Sequence, residues 1–164
     1  MSELSPEPAR GLELKIPPVL WWLLCVALMG LLSSVWPWYQ FGQRGAGVAL
    51  GLAVTLNVLG LWLGLAAVRR FRQASTTVHP MQLQRSSQLV QEGVFRYSRN
   101  PMYLAMLLGL AGVACGFATL SAWLVLPCFV AVIQQWQIKP EERWMRSRFG
   151  EAYCQYQQQV RRWI

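Results

Sequence analysis

Three long stretches of this sequence contain no charged residue at all: residues 16–43, 45–68 and 100–138, which are 28, 24 and 39 residues long. A helix needs about 20 residues to cross a hydrocarbon core roughly 30 Å thick, so the first two stretches are one span each and the third holds nearly two. The third must double back, and residues 116–121 (Gly-Phe-Ala-Thr-Leu-Ser) are its best turn. The expected fold is therefore all-α: a polytopic membrane protein with four transmembrane helices at about 17–40, 46–68, 101–117 and 120–138, read as a single domain over residues 1–164. A water-soluble chain of this size is excluded.

Charge supplies the orientation. Fifteen Lys and Arg oppose seven Glu, for a net charge of +8. Basic residues number 2, 1, 6, 0 and 6 in the successive segments outside the spans, the first being Arg10 and Lys15 and the second Arg44 alone. By the positive-inside rule both termini and the middle loop are expected in the cytoplasm, with two short turns outside, as in a bacterial inner-membrane protein. The surplus then meets anionic lipid headgroups, and no nucleic-acid partner is needed. The first span is too long for a signal-peptide core and its leader carries Glu3, Glu7 and Glu13, so it is expected to remain in the mature protein. Cys25, Cys115, Cys128 and Cys154 have no metal-like spacing and read as unpaired packing residues, with no metal site.

Trp21, Trp22, Trp36, Trp38, Trp123 and Trp136 fall near span ends, where an indole anchors at the headgroup level. Glycines in span two (Gly45, Gly47, Gly51, Gly60, Gly64) and span three (Gly109, Gly112, Gly116) favour close helix packing in lipid.

The folded-back third stretch has a geometric consequence. Its two open ends bring residues 96–103 and 139–142 together at one membrane face. Pro101 suits the first turn of a helix, whose exposed N–H groups, helped by Arg99, can receive a carboxylate. Pro140 is likewise expected to open a helix, with Glu141 and Glu142 in its first turn ready to accept from ammonium or hydroxyl groups. The plainer expectation for the same residues is helix-dipole complementation and a Glu142–Arg146 pair. On residue chemistry alone the junction is an amphoteric pocket.

At these residues a family resemblance appears. The segments Ser75-Thr76-Thr77-Val78-His79-Pro80, residues 89–104 (including Phe95-Arg96-Tyr97-Ser98-Arg99-Asn100-Pro101-Met102-Tyr103-Leu104), and Pro140-Glu141-Glu142 followed by residues 148–153 and Tyr156 resemble the integral-membrane methyltransferases of the isoprenylcysteine carboxyl methyltransferase and phospholipid methyltransferase superfamily. The resemblance implies S-adenosylmethionine as cofactor, a cofactor region over 90–164, cofactor binding by Arg96, Tyr97, Asn100, Pro101, Tyr103, Leu104, Glu141 and Glu142, and catalytic parts for Arg99 and Glu142. It also implies a lipophilic small-molecule or lipid substrate, either a carboxylate of isoprenylcysteine type or, alternatively, the amine of a phospholipid. The carboxyl methyltransferase branch usually carries His before the proline. Here Asn100 cannot titrate, which removes an acid or base role at that position.

A carboxylate acceptor needs only orientation, for which Arg96 or Arg99 would serve, whereas a protonated amine also needs a base, Glu141 or Glu142. His79, the single imidazole, is a further candidate. The tail after Pro140 reads as an interfacial amphipathic helix, bent or divided at Gly150, that either roofs the pocket or anchors at the surface. A proton-coupled transporter is disfavoured because no charged residue lies within a span, and a bis-histidine haem protein by the single His. A non-enzymatic membrane scaffold is the remaining alternative class.

Overall fold

The computed structural model describes residues 13–40, 43–73 and 89–164, without the side chains of residues 43 and 44. His79 and the Ser75–Pro80 motif lie outside the described residues. Helix α1 (Pro18–Val35) opens on a proline whose missing N–H has no intrahelical partner to lose. It ends at Trp36, with φ −136° and ψ 73°, because the residue before Pro37 is pushed out of the helical region. The first span is thus shorter than the expected 17–40. Residues 36–40 run outside it, and Gln40 forms an antiparallel bridge with Thr119.

Helix α2 (Gln43–Gln73) is longer than the expected 46–68, since no helix breaker interrupts it. At about 1.5 Å per residue its 31 residues overrun the hydrocarbon core, and Arg70 and Arg72 fall in its last turn, where cations complement the helix dipole. Helix α3 (Pro101–Phe117) stops at Ala118, whose φ of 52° turns the chain back. A continuous 30-residue helical path then runs from Leu120 to Phe149. It comprises α4 (Leu120–Trp123), α5 (Val125–Ile133), a π-helical turn (Gln134–Ile138) and α6 (Lys139–Phe149). Gly150, at φ 52° and ψ −125°, separates it from α7 (Glu151–Gln159), the division expected at that glycine.

Pro140 corrects the sequence reading. It does not open a new helix after a break: residues 138 and 139 before it are both helical. A proline inside a helix removes the donor to the carbonyl four residues back, here Trp136, and crowds it. The wider π turn precedes it, and the backbone N–H of Leu14 takes the Trp136 carbonyl at 3.0 Å.

The α2 and α3 backbones approach closely through glycine. A Cβ at Gly60 would fall 2.8 Å from the Ala105 carbonyl oxygen, and one at Gly112 would fall 2.9 Å from that of Ala53 and strike the Asn57 amide. The core lies among α1, α3, α5 and the π turn, around Met29, Leu110, Phe129, Ile133 and Ile138. At one end the turn is tied by Ser33 Oγ to Thr119 Oγ1 (2.7 Å) and by the Leu120 N–H to the Trp38 carbonyl (3.0 Å). The opposite end gathers the start of α3, the end of α2, α6 and α7, and carries the charge. Three long apolar helices and a shorter one make this an all-α integral membrane protein.

Candidate active site at the charged end

The hairpin of α3 and the α4 to α6 path brings its two open ends together as expected, and the C-terminal tail fastens them. Glu142, 7% exposed, accepts from Arg162 Nε (2.9 Å) and Nη2 (2.7 Å), a bidentate pair, and stands 3.1 Å from Arg99 Nη1. Asn100 Nδ2 donates to the Arg162 carbonyl (2.9 Å), and the Arg99 N–H donates to the Arg161 carbonyl (3.0 Å). Three separate segments, 99–100, 142 and 161–162, are thereby closed into one buried polar knot. The expected Glu142–Arg146 pair is absent: Arg146 Nε donates instead to Gln157 Oε1 at 2.9 Å, because the two arginines of the knot hold Glu142.

Glu141 is placed differently. Its Oε1 accepts from the Tyr103 hydroxyl, and no arginine neutralises it among the described residues. It lies three residues beyond the uncharged run that ends at Ile138. Desolvation pushes its carboxyl up to about 8; Glu142 nearby adds to the rise, and the Tyr103 hydrogen bond opposes it. Two adjacent glutamates therefore have different characters. Glu142 is clamped between guanidiniums, whereas Glu141 is a desolvated carboxyl that holds its proton more tightly than an ordinary glutamate.

A cavity of about 620 Å³ opens from this knot into the bundle. Arg99, Asn100, Pro101, Tyr103, Glu141 and Glu142 line its charged end. Trp22, Gly60, Gly64, Met106 and Gly109 form the inner walls between α1, α2 and α3. Helix α7 contributes Tyr153 and Tyr156, and the Tyr156 hydroxyl donates to the Phe95 carbonyl at 2.7 Å. Burial pushes both tyrosine hydroxyls above the ordinary phenol range, with Glu142 adding to it at Tyr153 and Arg99 opposing it at both, so they stay protonated donors. Arg99 Nε is buried with no hydrogen-bond partner among the described residues, and Nη1 makes no well-directed hydrogen bond despite its proximity to Glu142. Buried donors without acceptors are uncommon in a finished core.

Of the residues singled out in the sequence, six line the cavity. Leu104 does not line it although Tyr103 and Ala105 on either side do, and Arg96 and Tyr97 are exposed at the end of the short 3-10 turn Gly93–Arg96, Tyr97 at 78%. Sequence reasoning missed Arg162, which looked like one more tail cation, and did not assign Tyr153 and Tyr156 to the pocket wall. It also missed Trp22, whose Nε1 donates to the Met106 carbonyl at 3.0 Å, and Asn57, a strongly polar side chain amid the aliphatics of α2 that borders the cavity. Asn57 was detectable, since a polar side chain within a span is itself a signal.

Fold and site together define a membrane-embedded helical protein with a mixed-charge pocket opening onto an apolar interior. Comparison with known proteins places it further. The family model described as phospholipid methyltransferase matches residues 48–152, more than half of the chain. The chain belongs to that family, and is a membrane methyltransferase of the phospholipid and isoprenylcysteine class. An uncharacterised protein of Haemophilus influenzae is 43% identical over 63 residues, which are 38% of this chain and the whole of that protein. No solved structure matches.

Proposed function

We propose that the protein transfers a methyl group from S-adenosylmethionine to a lipophilic acceptor at the cytoplasmic face of a bacterial inner membrane, with both termini on that side. The observation that carries this reading is the pairing, at one end of a largely apolar cavity, of Arg99, whose buried Nε has no hydrogen-bond partner among the described residues, with a carboxyl, Glu141, that pairs with no cation among them. An amino acid zwitterion has the complementary charges, so the residues present fit this cofactor. Arg99 would hold its carboxylate, and Glu141 its ammonium or a ribose hydroxyl, with Asn100 and Tyr103 framing the site.

When bound, the cofactor supplies a methyl group already activated on a sulfonium, open to in-line displacement. The chain's own contribution is placement and dryness. The Glu142–Arg162 pair fixes the start of α3 against α6, while Tyr153 and Tyr156 wall the cavity on the side of α7. Trp22, Gly60 and Met106 offer an apolar slot in which an acyl or prenyl chain is excluded from water.

A lipid amine and a carboxylate are both acceptors that this slot admits, and the amine must in addition lose a proton before it attacks. The test is calorimetric binding of S-adenosylmethionine to the detergent-purified protein and to Arg99→Ala and Glu141→Gln. This is followed by incubation with methyl-labelled cofactor and total lipid extract, with mass spectrometry of whatever gains the methyl group. Heat in the wild type that weakens in both variants supports the reading. No heat in any form would overturn the assignment of this cofactor to the site.

A further inference from the structure

Outside the cavity, the segment before α1 meets the π turn at two points and α6 at a third. The Leu14 N–H caps the Trp136 carbonyl that Pro140 leaves without its helical donor (3.0 Å). Buried Gln137 donates its Nε2 to the Ile16 carbonyl (2.8 Å), and its Oε1 has no partner among the described residues. The Glu13 carboxylate pairs with Arg143, one residue past Glu142. Trp21 stacks on Trp136 with ring centroids 5.1 Å apart. These ties fall on both sides of Pro140. Leu14 makes its bond from φ 56°, a left-handed conformation unfavourable for leucine and held only because its surroundings demand it.

A π turn has a consequence for everything after it. It holds one residue more than an α turn, and each residue of an α-helix turns it by about 100°, so losing or displacing the turn would rotate α6 by about that angle. Glu141 and Glu142 would then leave the cavity wall. Residues 13, 14, 16 and 137 do not line the cavity, yet they bracket the turn that decides where those two carboxylates point.

We infer that residues 13–16 form a strap that clamps the π turn and so sets the rotation at which Glu141 and Glu142 face the cavity, which makes Glu13, Leu14 and Gln137 positioning residues for the site. The inference rests on the assignment, under the proposed function, of Glu141 to the cofactor and of Glu142 to the pair that fixes α3 against α6. It explains why Pro140 is tolerated inside a long helix and why a strained leucine sits beside it. The carbonyl freed by one is capped by the other.

The test uses the full chain, reconstituted in liposomes with its four cysteines replaced and spin labels at Arg72→Cys on the end of α2 and Arg148→Cys on α6, both exposed positions. Distances by pulsed electron paramagnetic resonance and S-adenosylmethionine affinity by calorimetry are read together. Glu13→Gln and Gln137→Leu are expected to shift or broaden the label distance and weaken binding by about tenfold, the scale of one lost hydrogen bond. Leu14→Gly keeps the N–H, suits φ 56°, and should match the wild type in both readouts. If Gln137→Leu fails to insert or fold, Glu13→Gln alone decides. Unchanged distances in the folded strap variants would overturn the clamp. A shifted distance with unchanged affinity upholds the clamp and removes the assignment of Glu141 to cofactor binding.

Discussion

Replacing Glu142 by Gln keeps the size of the side chain and removes its charge from between two guanidiniums. Arg99 keeps a side chain only 11% exposed, and Arg162 one 32% exposed. Breaking a buried ion pair from one side costs about 3–5 kcal/mol, because the partner charge stays out of water. Arg162 can turn back toward solvent and Arg99 cannot, so the lower end, about 3 kcal/mol, is expected. Arg162→Met should cost less, since Glu142 retains Arg99 beside it. Reversible unfolding in mixed micelles, run as a double-mutant cycle of Glu142→Gln with Arg162→Met, reads the pair directly. Two charge-assisted bonds at 2.9 and 2.7 Å should give a coupling of about 2 kcal/mol. A coupling below about 0.5 kcal/mol is that of a solvated surface pair. That result would show that the C-terminal tail does not fasten α3 to α6, and the cavity would lose the knot that shapes its charged end.

Glu141 predicts a pH dependence. Its folded value near 8 lies above the ordinary 4.5, so the folded state holds a proton that the unfolded state releases. The stability this contributes is fully present below about pH 4.5 and is lost as pH rises through about 8. The wild-type unfolding midpoint, measured relative to Glu141→Gln, should therefore fall from pH 5 to 8 and level off above; a flat difference would mean the carboxyl is solvated. Packing of α2 on α3 gives another contrast. Gly112→Ala meets backbone and amide and should cost about 1–3 kcal/mol, while Gly47→Ala, with nothing within 4 Å, should be neutral or stabilising by under about 1 kcal/mol in the same unfolding assay.

The class of fold was fixed by local chemistry. Uncharged runs of span length leave the backbone no option in lipid except helices, and the length of the third run forces a turn, which is why the meeting of Asn100 with the segment holding Glu142 could be anticipated. Gly150 likewise marks its own boundary through φ and ψ preferences that need no distant partner, and Pro37 does so too, although the uncharged run carried the expected span past it to residue 40.

Pro140 shows the limit of that approach. By propensity it starts a helix, and only the tertiary structure supplies a Leu14 N–H to cap the carbonyl it strands, so the helix continues through it. The same holds for the roles of the two glutamates. Side by side in sequence, they are chemically equivalent until Arg162, twenty residues on, binds one and Tyr103 the other. Ion pairing and desolvation depend on which groups come within a few ångströms, and those distances are set by packing between segments far apart in the chain.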